Sequence, residues 1–307
     1  MQDRIRYDQI QVGISRAVNQ AQSDIKGRRR ALSKLEQDEV RAAVYWSRID
    51  RPLTRADVLP FANMLKSIGQ VPRLDLIVVS PGGDGTVAET ILHLCRKYCT
   101  DHFRVAIPAF AKSAATLIAL GADEIIMGES SEIGPIDAQV VVMQDSTEQQ
   151  VSADHFLRAR NQAMDGLKSP EAHVVQAAQI QLSLLSPAFI QFCEDSMQFA
   201  RDFAEKQLRS HMFKTECPSD AALWDTRIAS IIKNLTSSSK HFTHGRMITS
   251  QHIKEDPDLQ HLKVQELPNN HAYWVALNDL LLRTEIVAQH MEVGKSLLTK
   301  DFELYGS

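Results

Sequence analysis

The stretch LIVVSPGGDGTVAETILHL, residues 76–94, runs an apolar segment through a glycine-rich turn into a helical pattern. Together with Leu74 and Asp75 its first part reads LDLIVV, a nearly continuous apolar run of strand length, as expected of a strand buried on both faces. From Thr86 onward, Val87, Ile91, Leu92 and Cys95 fall on one face of a 3.6-residue period, which predicts a helix. The turn between strand and helix aims backbone N–H groups at whatever sits above it. A phosphate or an acyl oxyanion would be held there equally well. Glycine allows both the close approach and the positive φ that such a turn needs.

The same unit recurs along the chain and sets the fold class. AAVYWSRID, residues 42–50, is a short β-rich run ending at Arg51-Pro52. Thr54 reads as an N-cap, with Asp57 in the first turn, for a helix over ADVLPFANMLKSIG that survives Pro60 and ends at Gly69. FRVAIP (103–108) predicts a strand, AFAKS a turn, AATLIALGA a helix and DEIIMG (123–128) another buried strand. After SSEIGPIDAQVVVMQ (130–144) the pattern becomes mostly helical, with one long amphipathic stretch from Glu171 to Met212. This alternation predicts an α/β domain with a covered sheet. Residues 1–41 are polar and helix-permissive with few apolar positions, so they read as a helical N-terminal arm. The domain itself spans 42–290, and 291–307 reads as a C-terminal tail.

Composition narrows the function classes. A chain of 307 residues, 44% hydrophobic and 23% charged, can bury a sizeable core, and a net charge of -4 gives no global footprint for nucleic acid or a membrane. The local run Lys26-Gly27-Arg28-Arg29-Arg30 reads as a solvated helix end. No segment supplies the roughly 18 consecutive apolar residues of a spanning helix, and MQDRIRYDQIQVG lacks the apolar region of a secretory signal. The expectation is a cytoplasmic protein with no membrane anchor and no nucleic-acid partner. Cys95 and Cys99 lie four apart on a predicted helix, while Cys193 and Cys217 have no close partner, so all four read as buried thiols. No metal and no cofactor are expected.

Neighbouring sequence separates phosphate from oxyanion. Gly82-Gly83-Asp84-Gly85-Thr86 resembles the phosphate loop of lipid and NAD kinases, but no Gly-Lys-Ser/Thr ending follows, and no glycine/asparagine-rich nucleotide segment appears downstream. Instead come Ala111-Lys112-Ser113-Ala114, Ala119-Leu120-Gly121-Ala122-Asp123-Glu124-Ile125 and Gly134-Pro135-Ile136-Asp137. With Ile49-Asp50-Arg51-Pro52, Val58-Leu59-Pro60-Phe61, Leu74-Asp75-Leu76 and Ser80-Pro81-Gly82-Gly83, this series over residues 42–290 resembles the signal peptide peptidase A-like, Clp/crotonase superfamily. Most closely it resembles the branch labelled serine dehydrogenase proteinase, a family of serine proteases. The resemblance implies a Clp/crotonase-type repeated β-β-α superhelix, followed here by a helical C-terminal half.

It also implies roles. Ser113, between a strand–turn and a helix start, maps to the nucleophile; read from spacing alone it is equally an N-cap. The amides of Gly83 and Ala114 map to the oxyanion hole, and Gly82, Gly134 and Pro135 to the substrate groove, with Asp137 holding its own turn. No histidine lies in the Gly134-Pro135 region, so the resemblance favours a Ser–Lys dyad with Lys168 as base. Lys112, His155 and His173 remain alternatives, and His241 and His244 read as surface residues. Apolar positions from Leu182 to Phe203 exceed what a lone surface helix exposes and predict a homo-oligomer. The expected activity is peptide-bond hydrolysis of a polypeptide substrate through an acyl-enzyme. The alternatives are an inactive or partner-activated scaffold of the same fold and a nucleotide-dependent kinase.

Overall fold

The structure, a computed structural model, describes residues 23–37, 39–144, 146–241 and 243–306. A helix over 23–35 (α1) leads into β1 (Val40–Ser47). A 3-10 turn, Arg55–Asp57, and α2 (Val58–Ile68) follow, then β2 (Val71–Val79), α3 (Gly85–Tyr98) and β3 (Cys99–Ile107). Next come β4 (Phe110–Ala111), α4 (Ala114–Leu120), β5 (Glu124–Met127) and β6 (Glu132–Ile133). Each of the elements expected around the glycine turn is present, and the chain is α/β.

A hairpin that the sequence reading did not expect, β7 (Gln139–Gln144) and β8 (Thr147–Ser152), occupies the VVVMQ region. The helical half then consists of α5 (Ala153–Gly166), α6 (Ala172–Ser183), α7 (Pro187–Gln207), α8 (Ala221–Thr236) and the short α9 (Ser238–His241). The single stretch expected from Glu171 to Met212 is thus two helices. They break at Ser186-Pro187, where the Ser186 side chain caps α7 by accepting from Phe189 N, and a π-helical turn, Leu208–Met212, ends the second. After β9 (Ile248–Thr249), α10 (Ser250–Glu255), β10 (Val264–Glu266) and α11 (Ala272–His290), the chain closes with β11 (Lys295–Leu298) and β12 (Glu303–Gly306). Residues 291–307, expected as a tail, therefore contribute two strands. Of the expected arm, residues 1–22 lie outside the described residues, and α1 packs against the sheet.

Among the described residues one sheet has seven strands in the order β10-β5-β3-β2-β1-β11-β12, parallel from β10 to β1 and antiparallel at β11 and β12. The period of two explains the continuous apolar runs. Tyr45, Leu76, Val78, Val105 and Ile125 point to a core shared with α2, α3 and α4. Their neighbours Val44, Trp46, Ile77, Ala106 and Ile126 point to the other face, where Leu32 of α1 and Trp274 and Leu277 of α11 cover them. A second, small sheet, β4-β6-β9, runs the 248–249 segment antiparallel to β6. It brings the loop before β9 beside the turns that end β2 and β4.

Candidate active site

Two turns meet above the ends of β2 and β4. Ser80 N donates to Phe110 O and Lys112 N donates to Ser80 O, both at 3.0 Å, so the two chains run side by side as they leave the sheet. Ser113 then takes φ 50° and ψ -118°, a left-handed conformation costing a residue with a Cβ about 1–3 kcal/mol. Gly82, at φ 88°, makes this possible. A Cβ on Gly82 would lie 2.8 Å from both Ala114 N and Ser113 Cβ, and closer still to Lys112 O. Gly83, at φ 141°, lies backbone to backbone against Leu53.

Among the described residues neither Gly83 N–H nor Ala114 N–H has an intramolecular acceptor, although their neighbours do: Gly82 N donates to Ser80 Oγ, Asp84 N to Leu53 O and Ala115 N to Lys112 O. Two free donors thus flank a strained serine. That is the arrangement that stabilises a developing oxyanion. The N-terminus of α3 is already taken, because the Asp84 carboxylate accepts from Thr86 N (2.8 Å) and Thr86 Oγ1 (2.7 Å). Partial burial favours the neutral acid, yet the Thr86 hydrogen bonds carry the Asp84 carboxyl below its ordinary value. An ionised carboxylate at that place repels a phosphate, which argues against the kinase reading.

Ser113 opens into a cavity of about 910 Å³. Gly82, Gly83 and Ala114 form one side, Ile136–Gln139 another, and Phe192 and Phe199 of α7 a third. His244, in the loop before β9, lines the same cavity and places Nδ1 2.7 Å from Asp137 Oδ1. Asp137 is 2% exposed, and its second oxygen accepts from Gln139 Nε2 at 2.9 Å. Burial by itself would raise the Asp137 carboxyl, but the hydrogen bond and charge of His244 hold it below the usual carboxylate range. An ionised carboxylate only accepts, so the His244 Nδ1 that faces it is the donor of this bond, which fixes the ring with Nε2 as its other nitrogen.

The other candidates fall elsewhere. Lys168 is 76% exposed, pairs with Asp165 at 2.7 Å just beyond α5, and does not line the Ser113 cavity. Lys112 turns away from Ser113 to pair with Glu132 at 2.9 Å beneath Gly134. His173 is 80% exposed beside Glu171. His155 lines an adjoining cavity of about 290 Å³, which shares Asp137 and His244 with the first. His241 is buried, its Nε2 2.8 Å from Asn234 O. Gly134 and Pro135, expected in the substrate groove, are not among the residues that line the cavity, to which this segment contributes Ile136 and Asp137. Gly134 instead packs on the Lys112 stem, where a Cβ would lie 2.7 Å from Lys112 Cδ.

Sequence reasoning missed His244 and the part Asp137 plays with it. The local signal was the short THGRM segment leading into β9, but the two residues lie 107 apart in sequence, and it is the β6–β9 pairing that carries the His244 loop towards this part of the fold. No group of three or more His, Cys, Asp or Glu among the described residues is placed to hold a metal ion. No helix among them is long and apolar enough to cross a membrane.

Residues 57–155 match the family of ClpP-like SDH-type serine proteinases. The match contains Gly83, Ser113, Ala114 and Asp137, and it bears out the resemblance read from the motifs. Two uncharacterized proteins of Methanocaldococcus jannaschii are 38% and 40% identical to this chain, each over 81 residues. The aligned part is 25% of this chain, and 28% and 27% of theirs, so the chain spans little more than a quarter of the relatives it matches. Two solved mutants of the 1510-N membrane-bound stomatin-specific protease show weaker likeness. One is 16% identical at TM-score 0.31, covering 54% of this chain and 78% of that one. The other, in complex with a substrate peptide, is 14% identical at TM-score 0.30, covering 81% and 98%. Likenesses of that size carry no argument here.

Proposed function

We propose that the protein is a serine endopeptidase of the Clp/crotonase type, working through an acyl-enzyme on Ser113. The observation that carries this is the left-handed Ser113 between two unengaged amides, inside a segment that matches a serine proteinase family. Ser113 Oγ attacks the scissile carbonyl carbon while His244 Nε2 takes its proton. Asp137 holds the ring through Nδ1–H and stabilises the imidazolium. The carbonyl oxygen becomes an oxyanion on Gly83 N–H and Ala114 N–H. Collapse breaks the C–N bond, His244 returns the proton to the leaving amine, and water resolves the acyl-enzyme by the same route. His244 thus takes the role that the sequence resemblance gave to Lys168.

The substrate in this reading is a polypeptide presenting an apolar side chain, since Leu117, Ile136, Phe192, Phe199 and Ala200 line the cavity around Ser113. Leu184 and Phe192, 79% and 57% exposed, support a homo-oligomer, which sedimentation at micromolar concentration tests.

Intact-mass measurement after treatment with a fluorophosphonate tests the assignment. The wild type is expected to gain one phosphonyl group, Ser113→Ala none, and His244→Ala and Asp137→Asn to react about 100-fold or more slowly. Lys168→Ala is expected to react at the wild-type rate. Slowing by Lys168→Ala with none by His244→Ala would restore the Ser–Lys dyad.

A further inference from the structure

We propose that Lys295, on the C-terminal strand β11, is a positioning residue for the oxyanion hole. The inference rests on Gly83 being one of its two donors. Lys295 is 8% exposed, and its ammonium donates to Pro52 O at 2.8 Å and to Asp57 Oδ2 at 2.7 Å. The same Asp57 oxygen accepts from Thr54 N at 2.7 Å and Thr54 Oγ1 at 3.1 Å. One cation and one carboxylate thereby fix the residues on both sides of Leu53. Charge-assisted bonds of this kind are the stronger and shorter ones, and here they are shielded from water.

Leu53 in turn fixes the glycine turn. Its N–H donates to Gly82 O at 2.6 Å, its carbonyl accepts from Asp84 N at 3.0 Å, and it forms an isolated parallel bridge with Gly83. These two bonds bracket Gly83 and leave its own N–H as the donor over. A Cβ on Gly83 would lie 3.0 Å from Leu53 C and closer to Leu53 N and O, so the two backbones touch with no slack. The direction of the Gly83 N–H is set by Leu53, and the place of Leu53 is set by Lys295 and Asp57. Lys295 itself is registered against Ser47 of β1 and Gly306 of β12. An oxyanion hole accelerates a reaction only when its donors are held before the charge develops, so a support two residues removed from the donor belongs to its function. Lys295 acts through Pro52, Asp57 and Leu53 and touches no reacting atom.

The test uses the full chain and three readouts: the second-order rate of fluorophosphonate reaction at Ser113, amide hydrogen exchange of segments 50–56 and 80–86, and the thermal midpoint. Lys295→Met is expected to react about 10-fold or more slowly and to exchange faster at Leu53 and Asp84, with Lys295→Arg recovering most of both. Lys295→Met combined with Asp57→Leu replaces the ion pair by apolar packing. It is expected to return the thermal midpoint close to the wild type while the reaction stays slow. Leu280→Ala on α11, in the core on the opposite face of the sheet from Leu53, is expected to lower the midpoint yet leave both the rate and the exchange of those segments unchanged. The proposal is overturned if the double variant reacts at the wild-type rate, or if Lys295→Met leaves exchange at Leu53 and Asp84 as it was. A wild type that takes no phosphonyl group refutes the peptidase reading alone, because the exchange data judge the clamp without it.

Discussion

Lys295–Asp57 and Lys168–Asp165 have the same nitrogen–oxygen distance, 2.7 Å, in opposite surroundings. The side chains of the first pair are 10% and 7% exposed, those of the second 76% and 74%. Coulomb attraction at a fixed distance scales inversely with the effective dielectric, so the exposed pair gains little over two hydrated ions. The buried pair gains more from attraction, but it has also lost more hydration. Its two ions depend on each other, and removing either leaves a charge with no solvent. An ion pair's role is set by its burial and by what else its atoms hold. Lys295 holds a carbonyl beside the candidate site; Lys168 holds only its neighbour three residues back.

The largest expected effect breaks the buried pair. Lys295→Met should lower the unfolding free energy by about 3–5 kcal/mol, measured by urea denaturation at neutral pH. Adding Asp57→Leu should restore most of that loss, and a double variant as unstable as the single one would show that the pair is not the source. An intermediate case sharpens the scale. His211, half-buried in the π-helical turn, is pushed from its ordinary 6.5 down to about 4, first by loss of hydration and then by the charge of Arg96. Between those two pH values the unfolded chain binds a proton that the folded chain refuses, so stability must fall as pH drops from about 6.5 to 4. His211→Gln should flatten that part of the curve by on the order of 1–2 kcal/mol once screening by solvent is allowed for. An unchanged slope would place the acid sensitivity elsewhere. The smallest effect belongs to the exposed pair: Lys168→Met should shift the urea midpoint by less than about 0.5 kcal/mol equivalent.

The same contrast explains what the sequence could reveal. The strand, glycine turn and helix over 74–98 were legible because each signal is local: an apolar run, positive-φ glycines and a 3.6-residue stripe. Ser113 was legible from its place between a strand–turn and a helix together with the family motifs. His244 with Asp137 and Lys295 with Asp57 were not, since the first pair spans 107 residues and the second 238, and no local pattern encodes either meeting. Lys168 looked suitable by its order along the chain, but order says nothing about which way a side chain faces. The β7–β8 hairpin escaped for a different reason. Residues 147–150 of β8 are exposed and polar, so the strand lacks the alternation that a half-buried strand shows.

The left-handed backbone at Ser113 has an evolutionary consequence. Glycine adopts that conformation without the penalty a Cβ brings, so Ser113→Gly should leave the folded protein as stable as before or raise its unfolding free energy by about 1 kcal/mol. A serine codon of the AGC type is one nucleotide from glycine. On the proposed reading of Ser113 as nucleophile, its loss to glycine is a downhill step for the fold, free of the instability that usually removes damaged proteins. A library of variants selected for heat resistance alone should enrich glycine at 113, while one selected for reaction with a fluorophosphonate should exclude it.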